Sequence, residues 1–212
     1  MKPLSLLALL LLAGCGATAA APAATGDPDP AKERRDGLKL RHQILARYGD
    51  ESHVFEGFMI LAGDSLIVRA FAGPGIDLFT VVRRGAEHEE RAHVSGLESR
   101  LDLAAVGEDI ARCFLAGCGS PGGKPVPGIS RCAFFGEPLV EERDGERRLA
   151  TRAFPQAHGI GLNVSYSEYR EFGGRELAGR ITLEWGSGAT SLVILLLDAE
   201  IVDDVGQAVF RL

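Results

Sequence analysis

The sequence has little that would support catalysis, nucleic-acid binding or a transmembrane helix. The formal net charge is −6, and such an acidic chain is poorly suited to bind a polyanion. Beyond the N-terminal leader, no apolar run reaches the 18 residues or so that a membrane-spanning helix needs. The serines occur without a Gly-x-Ser-x-Gly elbow, and no nucleophile and base stand in a recognisable set. We therefore expect a binding or structural protein, with neither enzymatic activity nor nucleic acid as a partner.

Several segments partly match cofactor-binding or metal-binding motifs, but each of them lacks the sequence context that such a motif needs. Residues 117–122 spell G-x-G-x-x-G, but a predicted helix precedes them and prolines follow, which is the reverse of a dinucleotide-binding turn. His88 and His93 are five positions apart in a strand-like segment, so they face opposite sides. Cysteines 113, 118 and 132 have no fourth ligand near them in the chain. The sequence predicts no cofactor and no metal.

The N-terminus reads as an export signal that ends in a lipid attachment site. Lys2 precedes an apolar stretch at residues 4–12, which as a helix would span about 13 Å against the roughly 30 Å of a bilayer core. Leu12-Ala13-Gly14-Cys15 then resembles the lipobox of bacterial lipoproteins. The resemblance implies cleavage after residue 14 and a diacylglycerol on Cys15, which would attach the protein to a membrane. Gly16, where a retention signal would have Asp, implies the outer membrane. We expect the domain to face the periplasm, and a position on the cell surface is the alternative.

Export places the other three cysteines where disulfides persist. Three thiols allow three different single bridges, and the sequence leaves all three open. We favour Cys118–Cys132, because the Gly- and Pro-rich loop between them is flexible enough to bring the sulfurs together. Cys113 would then lie reduced and buried on a helix face.

The mature chain is divided into a tether and one domain. Residues 15–30 carry the lipid and are rich in Ala, Pro and Gly, so they are predicted to form a flexible tether; residues 31–212 form the domain. Helical spacing predicts helices over 31–48 and 103–117. Alternation and Gly-bearing turns predict β-strands over 53–61, 65–72, 76–84, 87–94, 129–136, 138–143, 146–154, 160–171, 175–185 and 190–202.

Four stretches of this domain resemble the LolA/LolB superfamily of lipoprotein-handling factors. They are residues 54–61 (VFEGFMIL), 72–81 (AGPGIDLFTV), 162–169 (LNVSYSEY) and 173–183 (GGRELAGRITL). Ala178 stands where that superfamily often has proline. The link at residues 83–87 lacks the protruding apolar residue of the LolB type.

The resemblance implies an α+β fold, in which an antiparallel sheet curls into an unclosed half β-barrel with helices across its concave side. It also implies that the protein binds lipid acyl chains or lipoproteins at the outer membrane. The alternative is a structural or interaction lipoprotein that uses the same scaffold to contact an envelope partner. A continuous apolar cavity beneath the helices would favour the first function, and a solid core would favour the second.

Strand alternation gives a set of apolar residues expected to face the interior and to line such a cavity. They are Phe58, Ile60, Val68, Phe71, Phe79, Val81, Ile181, Leu183, Trp185 and Leu195.

Overall fold

The fold is given by a computed structural model that describes residues 35–48, 50–73, 75–97, 102–118, 126–186 and 190–205. The predicted signal peptide, the lipid attachment site Cys15 and the tether lie outside the described residues. No helix within the described ranges is long and apolar enough to cross a membrane.

The described chain consists of β-strands, one α-helix and a single 3-10 turn at Ala157–Gly159. The first half contains β1 (Arg35–Tyr48), β2 (Glu51–Ala62), β3 (Ser65–Phe71), β4 (Asp77–Arg84), β5 (Glu87–Ala92) and α1 (Leu103–Phe114). The second half contains β6 (Gly128–Phe134), β7 (Glu137–Arg143), β8 (Leu149–Phe154), β9 (Leu162–Phe172), β10 (Arg175–Trp185) and β11 (Thr190–Val205). These bounds match the predicted strands to within a few residues.

All strands belong to one antiparallel sheet, with the order β5-β4-β3-β2-β1-β11-β10-β9-β8-β7-β6. The chain forms two meanders, which join where β1 pairs with β11 in the middle of the sheet. Within the described residues the two end strands, β5 and β6, do not pair with each other, so the sheet is not closed. The predicted unclosed antiparallel sheet with a helix is confirmed.

The prediction of a helix over residues 31–48 is wrong, because residues 35–48 form the central strand β1. Leu38, Leu40, Ile44 and Ala46 alternate toward one face of the sheet, where Leu40 pairs with Met59 and Ile44 with Phe55. The i, i+3, i+7 pattern that favoured a helix combined residues that are exposed in the structure with residues that face inward. Period-two burial is typical of a strand, and in this segment it outweighs helix propensity.

The helix α1 packs on the face of the sheet to which β1 turns its apolar side chains. Ile110 and Cys113 share one core with Leu40, Met59 and Ile194, and all five are at most 3% exposed. Asp102 begins the helix, since its carboxylate accepts a hydrogen bond from the Ala105 backbone N–H. The covered face is the inner face of the half-barrel, and we call it the concave face.

The two halves of the sheet approach each other near α1. The Arg83 guanidinium, at the end of β4, lies 4.7 Å from the centre of the Phe135 ring in the β6–β7 turn. Such stacking of a cation on an aromatic ring is stabilising at protein surfaces. Arg83 therefore links the first meander to the second across the open side of the sheet.

Candidate functional site

Buried polar side chains of the second meander fasten the C-terminal end of α1 to the sheet. Arg152 Nη1 on β8 donates to the backbone carbonyls of Arg112 (3.2 Å) and Cys113 (2.5 Å). Tyr166 on β9 donates its hydroxyl proton to the Cys113 carbonyl at 2.8 Å. Carbonyls in the last turn of a helix lack partners within the helix, so these bonds satisfy them. Glu141, only 3% exposed, accepts from Arg152 Nε at 3.2 Å and balances its charge.

A second polar cluster holds the middle of the helix. The Asp109 carboxylate accepts from the Trp185 indole N–H (2.9 Å) and from Arg112 Nη1 (2.7 Å), and it lies 2.9 Å from His158 Nε2. Arg112 also donates to Glu137 at 2.9 Å. Asp109 is 5% exposed, and its charge is compensated by Arg112. The helix is thus fixed to the sheet at two places along its length.

One cavity of about 380 Å³ opens beside the C-terminal end of α1, and we call it the arginine-rimmed cavity. Its volume lies within the range of small-molecule sites. Apolar side chains from β1, β2, β10, β11 and the helix line its interior: Leu38, Leu40, Leu61, Leu177, Ala178, Ile181, Leu196, Cys113 and Phe114. Polar side chains from β7 to β10 surround the rest of it: Arg143, Glu146, Arg147, Arg148, Arg152, Tyr166, Tyr169 and Glu176, with Leu149 among them.

A second cavity of about 300 Å³ lies beside the N-terminal half of α1, and we call it the tryptophan cavity. It is lined by Trp185 and Leu183 of β10, by Ile110 of the helix, and by His158 and Ile160 of the turn before β9. Ile160 is 63% exposed at its mouth. The concave face therefore has cavities near both ends of the helix, with a packed core between them.

Of the residues predicted to face the interior, some line one of these two cavities and others belong to the packed core. Ile181 lines the arginine-rimmed cavity, while Leu183 and Trp185 line the tryptophan cavity. The other three concave-face residues belong to the packed core under the helix: Val68, Phe79 and Val81. The interior is thus partly a solid core, and the continuous cavity expected from the resemblance is divided in two.

Four predicted cavity residues lie on the opposite face of the sheet: Phe58, Ile60, Phe71 and Leu195. On β2 the residues in phase with the concave face are Met59 and Leu61, which pair with Leu40 and Leu38. The strands β3 and β11 are apolar on both faces, so alternation along them does not reveal which face is inward. The assignment of these four residues to the cavity is therefore wrong.

His42 is a buried residue of β1, in the segment that was predicted to be a helix. It is 0% exposed and pairs with Gly57 of β2, where a Cβ atom would come 2.9 Å from His42 Nε2. Neither ring nitrogen has a hydrogen-bond partner within the described residues. Burial lowers the pKa of His42 to about 4, an effect that the Leu40 backbone partly offsets. The imidazole is therefore neutral at physiological pH.

The favoured cysteine pair is bonded in the structure. Cys118, just after α1, and Cys132 on β6 form a disulfide with a Cα–Cα distance of 5.5 Å. Cys113 is a free thiol, 2% exposed, and burial raises its pKa well above the usual range. No three His, Cys, Asp or Glu side chains of the described ranges converge on a metal-sized site.

Sequence reasoning missed the charged side of the arginine-rimmed cavity. Arg143, Arg147, Arg148 and Arg152 fall in an eleven-residue stretch that reads ERDGERRLATR from Glu142 on. That stretch was interpreted only as parts of two strands, 138–143 and 146–154, with a turn at residues 144–145 between them. A local excess of arginine in an acidic chain was the signal that could have identified it.

Comparison with solved structures shows which known proteins share this fold. No family model matches the sequence, and no curated protein matches it. Among solved structures, a LolA superfamily protein from Nitrosomonas europaea matches 86% of this chain and 94% of its own, with a TM-score of 0.54 and 13% identity. This chain therefore shares its fold with that protein. At this identity the likeness concerns the fold alone.

A second solved structure agrees. An outer membrane lipoprotein-sorting protein domain from Vibrio parahaemolyticus matches 84% of this chain and 89% of its own, with a TM-score of 0.51 and 10% identity. The LolA/LolB resemblance deduced from residues 54–183 is therefore confirmed as a shared fold.

Proposed function

We propose that the protein binds an acyl chain of a lipid or lipoprotein in the arginine-rimmed cavity. In this proposal, lipid on Cys15 anchors the protein at the outer membrane and the domain faces the periplasm. The role of the Vibrio neighbour, a domain named for outer membrane lipoprotein sorting, is consistent with such a function. The activity is binding without catalysis.

The observation that carries the proposal is the apolar interior of this cavity. Leu40 and Leu196 at its base are each 1% exposed, whereas Leu38, Leu61 and Leu177 are only partly buried. The helix does not cover these side chains, because Arg152 and Tyr166 hold its C-terminal end in place. Apolar surface left open in a fixed cavity favours an apolar ligand.

The energetics of such binding need no catalytic or covalent chemistry. Each buried methylene contributes about 0.8 kcal/mol, so a chain of about twelve carbons would gain roughly 10 kcal/mol before the cost of ordering. A large part of that gain would be lost to immobilisation of the chain. If about half of the gain remains, roughly 5 kcal/mol, the affinity lies between millimolar (about 4 kcal/mol) and micromolar (about 8 kcal/mol).

The proposal is tested by filling the cavity. Leu177→Trp would place an indole among the lining residues while keeping the site apolar, so we expect loss of binding with a change in melting temperature of only a few degrees. Leu197→Trp is the matched control, since Leu197 is 41% exposed and does not line this cavity. The assay is binding of a fluorescent fatty acid, together with native mass spectrometry of co-purified lipid.

The protein for this assay is the chain from residue 16 onward, which lacks the lipid attachment site but retains every described strand and helix. If it binds no fatty acid and carries no lipid, the lipid-binding proposal is overturned, and an interaction scaffold is the function that remains. If Leu177→Trp binds as well as the unmodified chain, the ligand is not in this cavity.

A further inference from the structure

The arginine-rimmed cavity is positively charged on one side, although the protein as a whole is acidic. Four arginines and two glutamates line it, in a chain with a formal net charge of −6. All of these charges lie on strands and turns of the second meander, opposite the leucines of β1 and β2. The cavity is therefore amphipathic, with an apolar side and a cationic side.

Three of the four arginines have partners within the protein. Arg152 bonds to Glu141 and to the end of α1, and Arg143 bonds to Glu141 at 2.8 Å. Arg148 bonds to Glu176 at 2.5 Å. These side chains have structural roles, and their charges are largely neutralised where they stand.

Arg147 is different, because its side chain makes no hydrogen bond or ion pair with the described part of the chain. It is exposed at the rim, next to Arg148, whose Nε is buried without a partner among the described residues. A guanidinium with five free donors is suited to bidentate contact with a carboxylate or a phosphate. The rim thus offers unused donors beside an apolar interior.

The turn between β7 and β8 fixes the position of Arg147. Asp144 Oδ1 accepts from the backbone N–H groups of Glu146 and Arg148, each at 2.9 Å, and the Asp144 carbonyl accepts from the Arg147 N–H at 3.0 Å. Arg147 has a φ of 67°, which is unfavourable for a residue other than glycine. This turn therefore holds Arg147 at the rim in one backbone conformation.

We infer that the ligand of this cavity is an amphiphile with an anionic headgroup, bound with its chain against Leu38, Leu61 and Ile181 and its headgroup against Arg147. This inference rests on the proposed acyl-chain binding and restricts it. A lipoprotein N-terminus acylated through thioether, ester and amide bonds carries no anion for Arg147. The charged rim therefore favours a free anionic lipid over an acylated protein.

The inference is tested with two probes that share one chain, a fluorescent fatty acid and the corresponding fatty alcohol, on the chain from residue 16 onward. We expect the acid to bind about tenfold more tightly at low salt, and the difference to shrink as salt rises. Arg147→Gln should remove most of that difference, because it weakens binding of the acid much more than binding of the alcohol. Arg147→Lys should retain part of it. Arg91→Gln, an exposed arginine on β5, is the charge-matched control.

The outcomes separate the two proposals. If neither probe binds, the acyl-chain proposal itself fails. If acid and alcohol bind equally, or Arg147→Gln weakens both alike, acyl-chain binding stands and the headgroup inference is overturned. A competition experiment with millimolar inorganic phosphate completes the test. If phosphate displaces the fatty acid as effectively as a second anionic amphiphile does, the rim binds free anions and the headgroup inference is overturned.

Discussion

Gly107 of α1 lies against Val81 of β4 so closely that a Cβ atom on the glycine would come within 2.5 Å of Val81 Cγ1. A glycine in the middle of a helix is ordinarily unfavourable by about 1 kcal/mol. Here it allows the helix backbone to approach the sheet and to enclose Leu103 and Phe79 in the same cluster. The position of α1, and with it the shape of both cavities, depends on this contact.

Gly107→Ala is therefore expected to destabilise the protein, although alanine is the better helix former. Forcing an extra methyl group into a packed contact costs about 1–3 kcal/mol, which exceeds the gain in helix propensity. Val81→Ala in the same chain should restore part of the loss, because it opens space for the new methyl group. Urea denaturation of the single and double variants measures this coupling.

Gly145→Ala is the control for this pair. Gly145 lies in the β7–β8 turn, and a Cβ atom there would meet nothing within 4 Å. The free energy of unfolding of the Gly145→Ala variant should remain within about 0.5 kcal/mol of that of the unmodified protein. If Gly107→Ala is as stable as Gly145→Ala, the helix can shift to accommodate the new methyl group without a loss in the free energy of unfolding.

The fastening of the helix end by Arg152 gives a second prediction. Arg152→Met removes the donors to the Cys113 carbonyl and leaves the buried Glu141 with Arg143 as its remaining partner. We expect a loss of about 3 kcal/mol, since breaking a buried ion pair on one side is costly. Cys113, buried by the helix, should also react faster with a thiol reagent.

Replacing Arg152 and Glu141 together tests what causes this loss of stability. In Arg152→Met with Glu141→Leu, no uncompensated carboxylate remains, so the double variant should be more stable than Arg152→Met alone. Equal stability of the two would show that the lost helix contacts, and not the Glu141 carboxylate left with Arg143 as its one partner, account for the effect.

Local sequence patterns predicted most of the strands because each hairpin has its own Gly-bearing turn and its own alternation. The strand β1 is the exception, and its pairing partners explain why. It is held by β11, about 150 residues later in the chain, and by β2. Pairing over such a distance leaves no local signal, so the helix-like spacing of residues 38–48 was misleading.

The site was harder to predict than the fold. Trp185 and Leu183 were assigned correctly because β10 alternates clearly between buried and solvated positions. Phe71 and Leu195 were misassigned because β3 and β11 carry apolar residues on both faces. The arginines of the rim could not be placed by alternation at all, since only the hairpin and the helix end bring them to the cavity.

The predicted anchor is tested at Cys15, outside the described residues. Cys15→Ala should abolish metabolic labelling with fatty acid and leave the chain unprocessed or soluble, because that thiol is the proposed site of diacylglycerol attachment. Cys113→Ala is the control, since a buried thiol on α1 should contribute nothing to labelling. Labelling that persists in Cys15→Ala would contradict the lipoprotein assignment.

His42 predicts how stability changes with pH. Its pKa is about 4 in the folded protein and 6.5 when unperturbed, so between these values the unfolded chain binds the proton more readily. Stability should therefore be unaffected by this group above pH 6.5 and should fall as the pH falls from 6.5 toward 4. The shift corresponds to a loss of about 3 kcal/mol once pH 4 is reached.

His42→Leu should remove this dependence, since leucine fills a similar volume beside Gly57 and does not titrate. Urea denaturation at pH 7.5 and pH 4.5 measures it: the unmodified protein should lose about 2–3 kcal/mol more than His42→Leu over that interval. His53→Gln is the control, because the His53 side chain is 52% exposed beside Glu51. If His42→Leu and the unmodified protein lose the same stability over this interval, the acid sensitivity arises from other groups. The imidazole of His42 would then have access to solvent or to a partner, so that its pKa is the same in the folded and unfolded protein.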